Sequence, residues 1–424
     1  MKVGVIGLGY VGLPLALAFA EEGHDVVGLD ANTRKVDALR AGESYIEDVS
    51  SDSLAAVAKV ESGSAEAPKL AATTHYEDLS ECDAVIICVP TPLSEAREPD
   101  LSHLIDSASA LSRVLRRGQL ISLESTTYPG TTRERLKPIL EESGLAAGRD
   151  FHLAFSPERI DPGRTDYTVR TTPKVVGGLT EECTDRAAKL YGEICDTVVP
   201  VSGPEPAELS KLLENIFRSV NIAMVNEMAM LCERLGIDVW EVVEAAATKP
   251  FGFMRFDPGP GMGGHCLPID PFYLAYKARE HDFYTEFIEL AGKVNQNQPA
   301  WCVHRIERAL NQVGKPVKGS RILLLGVSYK AGVGDIRESP ALRIIRLTRE
   351  IGGDVLYHDP YVPELSEFDL RSADLDEEIA GTDLVCIVTA HPEIDYERIV
   401  SESPLVLDFR GVTRGIEAAN LVRL

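Results

Sequence analysis

The sequence has no apolar run of membrane-spanning length, which takes about 20 residues. Its apolar opening, MKVGVIGLGYVG, carries neither a basic leader nor a small-residue cleavage site. That opening reads as a buried strand and turn rather than a signal peptide, and a cytoplasmic protein without membrane contact is expected. Basic residues are scarce: 43 Lys and Arg stand against 66 Asp and Glu, a formal net charge of −23. A surface of that sign repels phosphate backbones and argues against a nucleic-acid partner. An anionic cofactor or substrate would bind only where local Arg, Lys and helix N-termini reverse the field. None of the eight cysteines stands in CxxC spacing, so neither a structural zinc site nor a thioredoxin-like pair is expected, and no metal centre is assigned. Cys88 in AVIICVP and Cys386 in DLVCIVT lie in buried-strand patterns, where a thiol is a small hydrophobe. Low-complexity tracts and repeats of solenoid period are also missing.

What is present has the balance of a globular enzyme: 424 residues, 44% hydrophobic and 26% charged, enough for two or three domains. Residues 1–203 alternate strand and helix patterns. KVGVIG, DVVGLD, AVIICVP, LISLES and HLAFSP read as strands, and 33–41 and 101–116 as helices. Such alternation predicts a doubly wound parallel sheet. SDSLAAVAKVESGSAEAPK is polar and small, and predicts a helix with exposed turns. Within 204–300, residues 205–235 keep a helical apolar period with no breaker. That length predicts a central connecting or dimerising helix. Shorter helices follow in DVWEVVEAAAT and at 272–280. Within 301–424, from about Val317 onward, SRILLLGVSYK, GGDVLYHDPYV, TDLVCIVTA and PLVLDFRG are strand candidates for a second, smaller α/β sheet.

Gly7-Leu8-Gly9-Tyr10-Val11-Gly12 is a G-x-G-x-x-G turn between a strand and a helix. Gly7 permits the tight turn, Gly9 lets a pyrophosphate approach the backbone, and Gly12 allows close helix–strand contact. The helix N-terminus offers amide donors to the phosphates. Asp30 closes the second strand about 20 residues beyond the second glycine, where a carboxylate accepts from the ribose hydroxyls and repels a 2′-phosphate. NAD is therefore favoured over NADP, with Arg34 as the feature that would serve a 2′-phosphate. Thr91, between two prolines, and Thr126, in Glu124-Ser125-Thr126-Thr127, lie at C-terminal strand ends. Such hydroxyls suit a nicotinamide ribose or a reacting oxygen, and equally suit ordinary turns. Glu158 and Arg159 end another strand; a carboxylate there positions water or acts as a base, or else forms a surface ion pair.

Lys211 and Asn215 are i and i+4 on the long helix and share a face. Together they can hold an alcohol oxygen, the Lys as charge and the Asn as a directional donor. The stretch Gly259-Pro260-Gly261-Met262-Gly263-Gly264-His265-Cys266-Leu267-Pro268-Ile269-Asp270 is the most informative. Its glycines leave backbone amides open to a ligand. Cys266 alone among the cysteines lies in a polar Gly/Pro loop, and it is expected to begin a helix. There a thiol tends toward thiolate, with Asp270 one helical turn on as general base or water-orienting group. His265 is given no role. Lys330 and Arg337 flank a glycine-containing loop before a helix start, an anion-site arrangement in the third region. Two nucleotide-like ligands are therefore expected face to face.

With GLGYVGLPLA, ESTTYPGT, SPERIDPG, KLLENIFRSVNIAMVNE, GPGMGGHCLPIDPFYL and LLGVSYKAGVGDIRESP in that order, the sequence resembles the UDP-glucose/GDP-mannose 6-dehydrogenase family over essentially its whole length. The cysteine loop and SPERIDPGR look most like the UDP-N-acetylglucosamine 6-dehydrogenase branch, with the UDP-N-acetylmannosamine branch close behind and UDP-glucose enzymes further away. The resemblance implies an α/β fold of two Rossmann-like doubly wound domains joined by a long central helix. Residues 1–203 would bind NAD, 204–300 would dimerise and carry the cysteine loop, and 301–424 would bind the UDP-sugar.

It also implies a reaction: four-electron oxidation of a C6 alcohol by two NAD, supplying a uronate for surface polysaccharide or glycan precursors. Cys266 would add to the aldehyde and pass through a thiohemiacetal and a thioester. Lys211 and Asn215 would attend the oxygen, and Asp270, Glu158 and Thr126 the hydrolytic water. Gly7, Gly9, Tyr10, Val11, Gly12, Asp30, Arg34, Thr91, Thr126 and Arg337 would face the cofactor. Glu158, Arg159, Lys211, Asn215, Gly263 and Lys330 would face the sugar nucleotide, with Arg255 reaching a partner subunit's substrate. A homodimer or larger homo-oligomer follows. The rival reading is a two-electron 3-hydroxyacid dehydrogenase, which has no use for a loop thiol. A non-catalytic dinucleotide sensor would need none of these side chains together.

Overall fold

The computed structural model describes residues 1–46, 49–58, 68–94, 98–160, 166–264 and 267–424. The chain divides into two compact units, Met1–Glu214 with Phe272–Phe283, and Asn215–Pro271 with Tyr284–Leu424.

The first unit is built on eight strands: β1 (Lys2–Ile6), β2 (Asp25–Leu29), β3 (Leu70–Thr73), β4 (Ala84–Ile87), β5 (Leu120–Leu123), β6 (His152–Phe155), β7 (Lys174–Gly178) and β8 (Val198–Pro200). They lie in the order β3-β2-β1-β4-β5-β6-β7-β8. β6 and β7 pair antiparallel, while the other neighbours are parallel. The order reverses between β1 and β4, which opens a crevice at the carboxyl ends of those strands. Apolar strand residues such as Val3, Val5 and Ile86 meet Leu13, Leu15, Ala16 and Phe19 of the helix Gly12–Glu21 in one core. That helix is apolar on nearly every face because it is covered on nearly every face. Five of the eight strands are the ones expected. The other three, LAAT, KVVGG and VVP, are short and rich in small residues, and take strand form by pairing with neighbours rather than by pattern. The expected polar helix appears as Ser51–Ala58, and the rest of that stretch to 67 lies outside the described residues.

The second unit holds a parallel five-stranded sheet, with a small hairpin beside it. The strands are β9 (Arg321–Leu325), β10 (Asp354–His358), the hairpin β11 (Glu364–Leu365) and β12 (Leu370–Arg371), then β13 (Leu384–Ile387), β14 (Val406–Asp408) and β15 (Leu421–Arg423). The large sheet runs β10-β9-β13-β14-β15. Four of these strands are expected from sequence and β15 is not.

The long helix is Pro204–Leu235, 32 residues. A second long helix, Glu286–Gln312, escapes the sequence reading. Its buried face includes Asn295, Gln298 and Pro299 between Ala291 and Cys302, so polar residues interrupt the apolar stripe that would announce it. Trp240, on the helix Val239–Ala247, joins Cys302, Ile306 and Leu310 in the core of this unit. Among the described residues no helix is long and apolar enough to cross a membrane.

Candidate active site

The glycine turn is shaped for a dinucleotide. Gly7 has φ 90°, and a Cβ on it would lie 2.6 Å from the Cys88 carbonyl oxygen. A Cβ on Gly12 would lie 1.9 Å from the Gly7 carbonyl oxygen, whereas nothing lies within 4 Å of one on Gly9. The turn is closed on the protein side and open on the side a pyrophosphate would use. No side chain caps the helix start at Val11, so no side-chain oxygen competes with an anion there.

Asp30 follows β2 and is buried. Its Oδ2 accepts from the Leu8 amide (2.9 Å) and from Lys35 Nζ (3.0 Å), and its Oδ1 accepts from the Asn32 amide (2.9 Å). These donors fix a charged carboxylate where a ribose diol would sit. The residues present therefore fit NAD. Arg34 is exposed, with its amide donating to Asn32 Oδ1. Lys35, one residue further, is the cation on Asp30; only the folded turn distinguishes the two. Tyr10 is exposed, and Val11 packs against the core.

Thr91 and Thr126 come together: Thr91 Oγ1 donates to the Thr126 carbonyl oxygen at 2.7 Å. The Thr91 carbonyl oxygen in turn accepts from the Tyr273 hydroxyl at 2.8 Å. Tyr273 is fully buried, carries no motif signal in the sequence, and lies 182 residues away in the chain.

Among the described residues Glu158 forms no surface ion pair. Its Oε1 accepts from the Arg159 and Ile160 amides at 2.8 and 2.6 Å, and its Oε2 lies 3.3 Å from Lys174 Nζ. Lys211, buried on the long helix, donates to the Glu158 carbonyl oxygen at 2.6 Å. Arg159 turns to Glu214 (2.8 Å) and to the Pro173 carbonyl oxygen (2.6 Å).

In the second unit Asn215 Nδ2 donates to Asp270 Oδ2 at 2.5 Å, both residues buried. The glycine loop departs from the expectation of open backbone. A Cβ on Gly263 would fall 2.8 Å from the Glu338 carbonyl oxygen and 2.8 Å from Tyr329 Cβ. The Gly264 amide donates to the Arg337 carbonyl oxygen at 2.9 Å. Here the missing side chains serve close packing against residues 329–340. His265 and Cys266 lie outside the described residues. The helix expected to begin at Cys266 begins instead at Asp270 (Asp270–Arg279), with a turn at 267–269. Asp270 is thus the first residue of its helix, and Pro268 disfavours helix in the residue before it. Lys330 is half-buried, Arg337 forms a two-pronged ion pair with Asp335, and Arg255 pairs with Asp257 at the surface.

The chain matches the UDP-glucose/GDP-mannose dehydrogenase family in three parts: the NAD binding domain over residues 1–195, the central domain over 205–297 and the UDP binding domain over 323–415. It is 36% identical to a UDP-N-acetyl-D-mannosamine dehydrogenase of Pyrococcus horikoshii across 98% of this chain and 100% of that one. It is 37% identical to a UDP-N-acetyl-D-glucosamine 6-dehydrogenase of Pseudomonas aeruginosa across 85% of this chain and 83% of that one. The solved UDP-D-ManNAc dehydrogenase of Pyrococcus horikoshii superposes with a TM-score of 0.90 at 33% identity, covering 100% of this chain and 99% of that one. The glycine turn, its ordered Asp30 and the full-length match together make this chain an NAD-dependent member of the UDP-glucose/GDP-mannose dehydrogenase family.

Proposed function

We propose that this chain oxidises the C6 alcohol of a UDP-N-acetylhexosamine to the carboxylate, with Cys266 as covalent nucleophile. The observation that carries this reading is the burial of a cation, an amide and a carboxylate, Lys211, Asn215 and Asp270, none of which a fold needs in its interior. The Gly7–Gly12 turn and Asp30 would hold NAD, which would supply the hydride acceptor for each of the two oxidations. A water near Asp270 takes the hydroxyl proton, the Lys211 ammonium stabilises the developing alkoxide, and Asn215, oriented by Asp270, aligns it. The Cys266 thiolate adds to the aldehyde carbon, which keeps a reactive carbonyl from leaving and presents a thiohemiacetal for the second oxidation. Water then cleaves the thioester, positioned by Asp270, Glu158 and Thr126, and the thiolate is released. Arg159, Gly263 and Lys330 address the sugar nucleotide, Arg255 that of a partner subunit, and Thr91 and Arg337 the cofactor. A two-electron hydroxyacid dehydrogenase uses neither the thiol nor a UDP binding domain.

The cysteine-loop wording favours UDP-GlcNAc. UDP-ManNAc is the second reading, supported by the end-to-end match to the Pyrococcus enzyme. Incubation with UDP-GlcNAc, UDP-ManNAc, UDP-glucose and GDP-mannose separates them by NADH formation. An N-acetylhexosamine is expected to be turned over fastest. Preference for UDP-glucose or GDP-mannose, or no turnover of any of the four, contradicts the reading.

We infer, too, that two copies pair through the long helix. Leu209, Leu213, Phe217, Met224, Met228, Leu231 and Leu235 follow at spacings of three, four and seven and form one stripe. Each is at least 41% exposed, Leu213 as much as 64%. A continuous apolar stripe of this length is what a partner helix covers. The double variant Leu213→Glu/Met224→Glu is expected to run as a monomer by light scattering while the parent protein runs as a dimer or larger. Equal masses would refute the assignment of this face.

A further inference from the structure

Lys174 opens β7 with its side chain only 7% exposed. Two carboxylates meet it: Nζ donates to Glu124 Oε2 at 2.7 Å and lies 3.3 Å from Glu158 Oε2. The Glu124 side chain, following β5, is fully buried, and its other oxygen lies 2.6 Å from the Tyr191 hydroxyl. That hydroxyl also lies 2.8 Å from Ser122 Oγ. The Glu158 Oε1 atom is held by two backbone amides of its own loop. Every oxygen of the two carboxylates therefore has a fixed donor. Desolvating three ionised groups costs more than an apolar cluster of the same volume, so stability alone does not call for the triad.

We propose that Lys174 is a positioning residue for the reaction, holding the Glu158 carboxylate charged and in a single orientation at the strand end. The proposal rests on the role given to Glu158 above. Burial by itself would push the Glu158 carboxyl up; Lys174, the Ile160 amide and Lys211 outweigh it and hold the group below the ordinary carboxylate range. Burial pushes the Glu124 carboxyl up, against the pull of Lys174. Burial would lower Lys174, but Glu124 and Glu158 overcome it and raise it. The other titratable neighbours are Tyr191, Cys88 and Cys195, all raised by burial and neutral at pH 7. From the long helix come Lys211, on the Glu158 carbonyl, and Glu214, paired with Arg159. A Glu158 ionised at neutral pH orients water and does not shuttle a proton there.

Because its folded-state value is depressed, the Glu158 charge is present above the ordinary carboxylate range and is lost only as pH falls through the lowered value. Removing Lys174 moves that loss toward neutrality. Lys174→Met alone strands two buried carboxylates and is expected to misfold, so the test pairs Glu124→Gln/Lys174→Met with Lys174→Arg. In the double variant the acid limb of kcat is expected to rise by roughly one to three pH units, with KM for NAD and sugar nucleotide within about twofold of the parent. Lys174→Arg is expected to restore the parent profile. Carbon-13 NMR of glutamate-labelled protein follows the same titration without turnover, the signal being assigned by its loss in Glu158→Gln. A folded double variant whose Glu158 signal and kcat profile titrate as in the parent would overturn the proposal. Full activity in Glu158→Gln would sink the role of Glu158 instead, and the NMR titration would still decide whether Lys174 holds its charge.

Discussion

Cys266→Ala is expected to abolish uronate formation, lowering kcat for the acid product on the order of 10³-fold or more, because the nucleophile we propose has no substitute within its step. Cys266→Ser is expected to fare little better. A hydroxyl is a far weaker nucleophile than a thiolate at neutral pH, and an ester is a poorer acyl intermediate than a thioester. The two variants should fold as the parent does, since the chain on either side is tied down without the thiol. Gly264 is hydrogen-bonded to the Arg337 carbonyl, and Asp270 to Asn215. NAD affinity should be unchanged, as the substitution leaves the glycine turn and the hydrogen bonds of Asp30 intact. Mass spectrometry of the sugar nucleotides after incubation reads the result. Acid product at near-parent rates from Cys266→Ala would remove the covalent step.

The second large effect is at Gly12. Alanine there places a methyl carbon 1.9 Å from the Gly7 carbonyl oxygen and 3.2 Å from Cys88 Cβ. Gly7 is held in place, its amide donating to the Leu29 carbonyl oxygen at 2.8 Å. The helix must therefore move off β1 and carry its amides away from the phosphate position. A cost of about 1–3 kcal/mol in stability is expected from overpacking, together with loss of NAD binding on the order of 10²-fold. Gly9→Ala separates the two consequences. Its Cβ has open space within the protein, so stability should hold while NAD binding falls, the methyl group standing where the pyrophosphate approaches. Thermal unfolding and calorimetric NAD titration of both variants check this. A Gly12→Ala protein of parental stability and affinity would show that the close approach is not needed.

The parts of this protein that can be read from sequence are those whose signal is local. The glycine turn, Asp30 and the long helix Pro204–Leu235 each announce themselves within a few turns of chain. β7 does not, because KVVGG becomes a strand by pairing with β6 and β8. The helix Glu286–Gln312 hides behind Asn295, Gln298 and Pro299, which face inward to serve the second unit: Asn295 Nδ2 donates to the Ser219 carbonyl oxygen, and Gln298 Nε2 to that of Gly259. Lys174 and Tyr273 carry no local signal for a related reason. Their partners stand 50 and 182 residues away, and a lone Lys before an apolar run looks like a solvated strand end until the fold encloses it. The glycines of the cysteine loop were legible as residues that need no side chain, but their use in packing against Tyr329 and Glu338 depends on a loop some 65 residues further on.

The central claim is a four-electron oxidation, and its most direct measurement is the count of NADH formed per molecule of UDP-N-acetylhexosamine consumed, with NAD in excess and the reaction run to completion. Two NADH and one uronate are expected for each sugar nucleotide. A single NADH with an aldehyde or ketone as the end product would contradict it.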